Sequence, residues 1–356
     1  MGGTIPAMSI VFVGTYTNGN KSDGVYAFRM DDVTGAWTRI PQNIPKINNP
    51  SYLAADRKNH RLFATAETSE GQIAAFRYDA ESGALTFVNQ QPSQGADPCH
   101  VSVLKSGSHI LVANYSSGTF AMLPINSDGS LRPATDTVQD SGSGPNKGRQ
   151  EAPHAHSINL DASNKLAYGC DLGTDKIQIF RPNAKTGKLV ANEPSFAPVH
   201  PGGGPRHFAF HPKKPFAYAI NELDCTVTVF AWDKASGALR ELQTITTLPR
   251  PFQNGDSCAD IHVSADGKFL YGSNRGHDSI AIFSIGADGK LITVGNESTQ
   301  GKTPRNFAID PTGNFLFAAN QNSDTIVAYK IDKKTGKLTA TGAKIEVPAP
   351  VCIIFG

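Results

Sequence analysis

The chain has 356 residues, of which 18% are charged, and a formal net charge of only +2. It shows no Lys/Arg run and no basic stripe, so the electrostatic footprint of a nucleic-acid binder is missing and a small-molecule ligand is expected. Its 34 glycines and 23 prolines are spread as turn punctuation instead of pooled in a linker, and no apolar run approaches the roughly 18 residues that cross a bilayer, so neither disorder nor a membrane partner is expected.

Residues 1–8, "MGGTIPAM", read as a tag or disordered leader without the basic and hydrophobic regions of a secretion signal. The next stretch, "MSIVFVGTYT", has the pattern of a second strand with no first strand before it. From Asn49 onward a four-strand frame repeats, with further copies starting at Asp97, Ala152, Gly204, Cys258 and Thr303. In the copy that starts at Gly204, Phe208 and Phe210 alternate with His207 and Ala209, Pro-Lys-Lys-Pro turns the chain, and "FAYAIN" gives a second apolar strand. "TVTVFAW" is a third strand, "KASGAL" a hairpin turn and "LRELQTI" a fourth strand.

That hairpin turn is the strongest repeat signal. It recurs seven times, as "TGAW", "SGAL", "DGSL", "TGKL", "SGAL", "DGKL" and "TGKL", with glycines at Gly35, Gly83, Gly129, Gly187, Gly237, Gly289 and Gly336. Six frames are complete, and the chain ends on "APVCIIFG", a first strand with nothing after it. Pairing the two ends within one blade would close a ring and hide the free sheet edges. The expected fold is therefore all-β: one seven-bladed β-propeller of four-stranded antiparallel blades over residues 9–356.

In such a meander the start of strand one, the end of strand two and the inter-blade connections share one face. The long stretches 132–152, 194–204 and 249–257 fall there, and long loops are commonly functional. Aligned on the strand-one proline or its equivalent, the copies place Ser51, Cys99, His154, Arg206, Ala259, Arg305 and Val351 in one column. The end of strand two supplies Tyr16, Glu67, Tyr115, Leu172, Glu222, Arg275 and Gln321. A purely structural repeat would fill equivalent slots alike, so His154, Arg206, Glu222 and Arg275 stand out as a candidate site at the channel mouth. His156 falls in an otherwise apolar column and reads either as a blade hydrogen bond or as part of the site; His207, Asp260 and His262, one step away, read as inter-blade hydrogen bonding or as substrate contacts. The five cysteines, Cys99, Cys170, Cys225, Cys258 and Cys352, are odd in number and far apart in sequence, which fits buried thiols in a reducing, cytoplasmic compartment.

The stretches "GPRHFAFHP…YAINEL", "ADIHVSADGKFLYGSNRG", "TPRNFAIDPTGNFLFAANQ" and "VGTYT" resemble the lactonase family of seven-bladed propellers, which includes 6-phosphogluconolactonases and muconate-lactonizing enzymes. The similarity runs from Ser9 to Gly356. It implies a site of one histidine, two or more arginines and a glutamate in the central cleft, here His154 or His156, Arg206, Glu222 and Arg275.

Opening a lactone needs activated water and a donor for the oxyanion. His154 is the expected general base, oriented by Glu222, with Arg206 and Arg275 binding the oxyanion and an anionic tail, helped by Arg305. His156, His207 and Asp260 are expected at the substrate. The implied activity is a 6-phosphogluconolactonase-type hydrolase of sugar metabolism acting on a small anionic lactone, as a monomer or weak homodimer. No oxygen-ligand loop is legible, so neither metal nor other cofactor is expected. The alternatives are cycloisomerisation of a carboxylated muconate by the same cluster, and a non-catalytic binding propeller; the lack of a Gly-His…Trp-Asp signature argues against a scaffold of that type.

Overall fold

The computed structural model describes residues 8–19 and 21–356. Seven four-stranded antiparallel sheets are arranged so that the first strand of each touches the first strands of its two neighbours in cyclic order. These seven strands therefore line a central axis. Blades 1 to 6 cover residues 53–92, 98–139, 155–198, 205–246, 257–298 and 304–346. Blade 7 joins the C-terminal strand Pro350–Phe355 to the N-terminal strands Met8–Thr15, Tyr26–Asp31 and Trp37–Ile40. Val11 pairs with Phe355 and Val13 with Ile353, so the chain ends close the ring as the sequence predicts. Of the leader expected over residues 1–8, residues 1–7 lie outside the described residues, and Met8 already belongs to the first strand.

The core is divided in the same way. Seven buried clusters fill the seven interfaces between adjacent blades, such as Tyr218, Ile220 and Val229 of blade 4 against Leu270, Ala281 and Phe283 of blade 5. Burying one such side chain contributes roughly 1.5–3 kcal/mol, so each interface is a substantial share of the whole.

The repeated turn has two jobs. All seven turn glycines have positive φ, between 68° and 91°, as a tight hairpin requires. Each turn also meets the preceding blade: Tyr168, Tyr218 and Tyr271 donate their hydroxyls to the carbonyls of Gly237, Gly289 and Gly336 at 2.8, 3.1 and 2.9 Å. A Cβ on Gly336 would stand 2.4 Å from Cδ1 of Phe269 in that blade.

Two of the long stretches are shorter than the sequence suggests. Asp136–Gln139 is the fourth strand of blade 2, and the last strand of blade 3 runs through Pro198. Outermost strands are largely exposed, so they lack the apolar alternation that would have revealed them.

Candidate active site

The site is built by β-bulges at the start of strand one. Pro98 pairs with Asn114 but His100 with Ala113; Pro205 pairs with Asn221 but His207 with Ile220; Pro304 pairs with Asn320 but Asn306 with Ala319. One residue per blade is left over at each slip: Cys99, Arg206 and Arg305. Proline has no N–H to give the ladder, which suits it to a strand's first position, and the bulge that follows re-aims the next side chain. In blade 3 the slip lies between Ala155, which pairs with Asp171, and Ser157, which pairs with Cys170. Ala155, not Pro153, thus holds the proline slot, and His156 is the residue in line with Arg206 and Arg305. The alignment on Pro153 set blade 3 off by two positions, and the apolar column assigned to His156 is corrected accordingly.

These side chains face a cavity of about 270 Å³ whose wall includes Glu67, Tyr115, Arg149, His156, Glu222, Arg275 and Arg305. A deeper lobe is lined by Ser51, Tyr52, Arg206 and His207. Glu222 is the hub. Its Oε1 meets Arg149 Nη2 at 2.5 Å, and its Oε2 meets Arg206 Nε and Arg275 Nη2, each at 2.9 Å. The Arg206 contact is a charge pairing without hydrogen-bond alignment, since that N–H has no hydrogen-bonded partner. Burial alone would raise the Glu222 pKa, but Arg275, Arg206 and Arg149 together hold it below the ordinary carboxylate range.

Arg206 is almost fully buried. It donates through Nη1 to the Ala259 carbonyl at 2.5 Å and to His207 Nε2 at 3.2 Å. Burial, with Arg305 and Arg275 nearby, pushes its pKa down to about 10, so it stays charged at neutral pH. His207 in turn donates from Nδ1 to Asp260 Oδ1 at 2.8 Å, and burial and Arg206 push its own pKa down to about 4. Asp260 also accepts from the backbone of Ile261 and from His262 and Asn306, at 2.9, 2.9 and 2.6 Å. Asp260 stands behind the cavity wall as a junction of blades 4, 5 and 6, while His207 lines the deeper lobe. His262 faces a separate depression that includes Arg57 and Phe355.

His156 lines the cavity with Nε2 4.0 Å from Glu222 Oε2. Burial, and then Arg206 and His207, lower its pKa well below the usual histidine value. His154 is turned elsewhere. Its ring lies flat on Tyr115, 4.5 Å between centroids, and its Nε2 is 3.1 Å from Glu151 Oε1. It props Tyr115 from behind and is not part of the lining. The Cys99 thiol, beside the His156 carbonyl at 3.2 Å, is raised by burial far above the range of a nucleophile. All five cysteines are buried and unpaired by disulfide.

Two members of the site escaped the sequence reading. Glu67 appears in the strand-two column but had no partner to mark it; its carboxylate accepts from Tyr16 at 2.9 and 3.0 Å and from Ser51. Arg149 lies in the 132–152 stretch, where nothing in the local sequence separates it from Arg132 or Lys147. The adjacent Gln150, fully buried, fixes it in place by donating to the Leu172 carbonyl at 2.9 Å and to Asp175 Oδ1 at 2.7 Å. Arg305 has its guanidinium 5.4 Å from the ring centre of Tyr16 and makes no hydrogen bond or ion pair among the described residues. Among the described residues no group of three or more His, Cys, Asp or Glu side chains is arranged to hold a metal ion.

A family model described as "Lactonase, 7-bladed beta-propeller" matches residues 10–355. A 6-phosphogluconolactonase of Bacillus subtilis is 40% identical over 350 residues, covering 97% of this chain and 98% of its own. A 6-phosphogluconolactonase of Formosa agariphila is 37% identical over 335 residues, covering 92% and 94%. The solved structure of the periplasmic gluconolactonase of Pseudomonas aeruginosa superposes with a TM-score of 0.91 at 34% identity, covering 98% of this chain and 99% of that one.

Proposed function

Because this chain belongs to the lactonase family of seven-bladed β-propellers, and is a carboxylic ester hydrolase of that kind, we propose that it opens 6-phosphogluconolactone with water activated by His156. The observation that carries the reading is the convergence of Arg149, Arg206 and Arg275 on Glu222 beside a neutral histidine in a polar cavity.

Water attacks the lactone carbonyl carbon while its proton passes to His156 Nε2. The carbonyl oxygen becomes an oxyanion held by guanidinium N–H groups of Arg275 and Arg305. The tetrahedral intermediate collapses by breaking the bond to the ring oxygen, which takes the proton back from the imidazolium as it becomes a hydroxyl. Glu222 Oε2, 4.0 Å from Nε2, stabilises the imidazolium between these steps. The low pKa of His156 makes it a weak base but a strong acid, which suits the second half of the cycle. Arg206, His207 and Asp260 form a fixed relay that holds the arginine head against Glu222.

The test is a turnover comparison on 6-phosphogluconolactone, unphosphorylated gluconolactone and carboxymuconate, with spontaneous hydrolysis subtracted and His156→Ala as the blank. Faster turnover of carboxymuconate would replace this reading with the cycloisomerase, and no turnover of any of the three would leave a binding propeller.

A further inference from the structure

We propose that Arg149 selects a phosphorylated over an unphosphorylated lactone by taking the phosphate dianion at the cavity mouth. This rests on the lactonase reading above and adds to it the group that reads the substrate's tail.

Charge balance points to a dianion. The cavity and its deeper lobe hold four guanidiniums, of Arg149, Arg206, Arg275 and Arg305, against two carboxylates, of Glu67 and Glu222. The lining thus carries two more positive than negative groups, an excess that Asp260 behind Arg206 and His207 offsets only in part. A phosphomonoester carries about −1.5 to −2 at neutral pH and matches that excess, whereas an uncharged lactone leaves it unmet.

Exposure singles out Arg149, since Arg305, whose donors are also free, is the group placed at the oxyanion above. The Arg149 side chain is 44% exposed, whereas those of Arg206 and Arg275 are 2% and 14% exposed, so it stands at the mouth. Its Nη2 serves both Glu222 Oε1 at 2.5 Å and the Tyr115 hydroxyl at 3.3 Å. A guanidinium has five N–H donors, and those on Nε and Nη1 make no hydrogen bond among the described residues. Arg149 can therefore donate to a phosphate through Nη1 while its Nη2 stays on Glu222. Arg275 likewise uses only Nη2, on the Cys258 carbonyl and Glu222, and Arg206 donates through Nη1 to Ala259 and His207, but both lie deeper, so a tail at the mouth meets Arg149 first. The buried neighbour Gln150 holds the backbone still, so the tail is met by a pre-positioned cation.

The experiment measures kcat/KM of the full chain on 6-phosphogluconolactone and on gluconolactone for the natural protein, Arg149→Gln and Arg149→Lys. Both substrates lose rate in Arg149→Gln, because Glu222 loses a partner, so the ratio between them is diagnostic. The phosphorylated-to-unphosphorylated ratio is expected to fall roughly 10- to 100-fold in Arg149→Gln, the range of a charge-assisted hydrogen bond, and less in Arg149→Lys, which keeps the charge. A ratio within twofold of the natural protein's would overturn the proposal. If the natural protein turns over neither lactone, the lactonase reading has failed, and calorimetric binding of 6-phosphogluconate against gluconate then decides for Arg149. A preference for the phosphate that disappears in Arg149→Gln supports the assignment, and an equal preference in both proteins overturns it.

Discussion

His156 and Arg206 occupy the same bulge position in consecutive blades, each the extra residue between a strand-one slot facing Asp171 or Asn221 and the ladder that resumes at Ser157 or His207. The equivalence separates the two histidines of "PHAH". His156→Ala is expected to lower kcat by about 10²- to 10⁴-fold, as loss of a general acid–base group does. His154→Ala should instead lower stability by about 1 kcal/mol through loss of the Tyr115 stack and the Glu151 bond, with only a few-fold change in kcat. Steady-state rates with thermal melts on both variants check this; a larger kcat loss in His154→Ala would reverse the assignment.

Most of the fold was legible because its signals are local and repeated. The turn glycines need a positive φ, and the apolar alternation of strands one to three follows from their burial. Arg206, Glu222 and Arg275 could be picked out as candidates because neighbouring blades carry unlike charged residues in slots that a purely structural repeat would fill alike. What failed was register: a bulge adds a residue without changing the local pattern, so Pro153 looked like a better anchor than Ala155. Arg149 and Glu67 were hidden for a different reason. Their roles are set by partners 73 and 51 positions away, Glu222 and Tyr16, and no local pattern carries such a distance.

The pH dependence should report the environment of His156. Burial and then Arg206 and His207 depress its pKa, so the imidazole is neutral, and able to accept a proton, at pH values where an ordinary histidine is charged. The acid limb of kcat/KM on unphosphorylated gluconolactone, which has no titrating phosphate, is expected well below pH 6.5. A limb at the ordinary histidine value would mean that another group limits the rate.

Glu222 carries a stability prediction. It is the only carboxylate within 4 Å of Arg149, Arg206 or Arg275 among the described residues. Removing its charge while keeping its shape leaves Arg206 buried with no ion-pair partner, a situation that costs about 3–5 kcal/mol. Glu222→Gln should therefore unfold at lower denaturant as well as lose activity. Because the folded-state pKa lies below the unfolded value, the contribution is present at neutral pH and fades as pH falls below about 4.5. The natural protein and Glu222→Gln should thus converge in stability towards low pH, and a gap that persisted there would contradict the pairing.

Asp171 gives the opposite sign. Its slot is asparagine in blades 2, 4, 5 and 6, and in blades 2, 5 and 6 Asn114, Asn274 and Asn320 donate Nδ2–H to the carbonyls of Ser93, Thr247 and Thr299 at 3.0, 3.1 and 2.9 Å. Those acceptors directly follow the last strand of the preceding blade, and Asp140 holds the same place after Asp136–Gln139. Asp171 Oδ1 accepts from the backbone N–H of His154 and Gly173 at 2.7 and 2.9 Å, while its Oδ2 is buried near Asp140 with no hydrogen-bond donor. Burial and Asp140 accordingly push the Asp171 pKa up to about 8. A carboxyl raised in the folded state stabilises fully below its unfolded pKa, and that contribution erodes as pH rises and is gone above about 8. Asp171→Asn supplies the missing donor at every pH. Its advantage over the natural protein should therefore widen between pH 4 and pH 8, reaching about 1 kcal/mol or more, or roughly 2–4 °C in Tm. Paired melts at pH 5 and pH 8 read the difference directly. A gap that does not change with pH would mean that Asp171 does not titrate between these pH values.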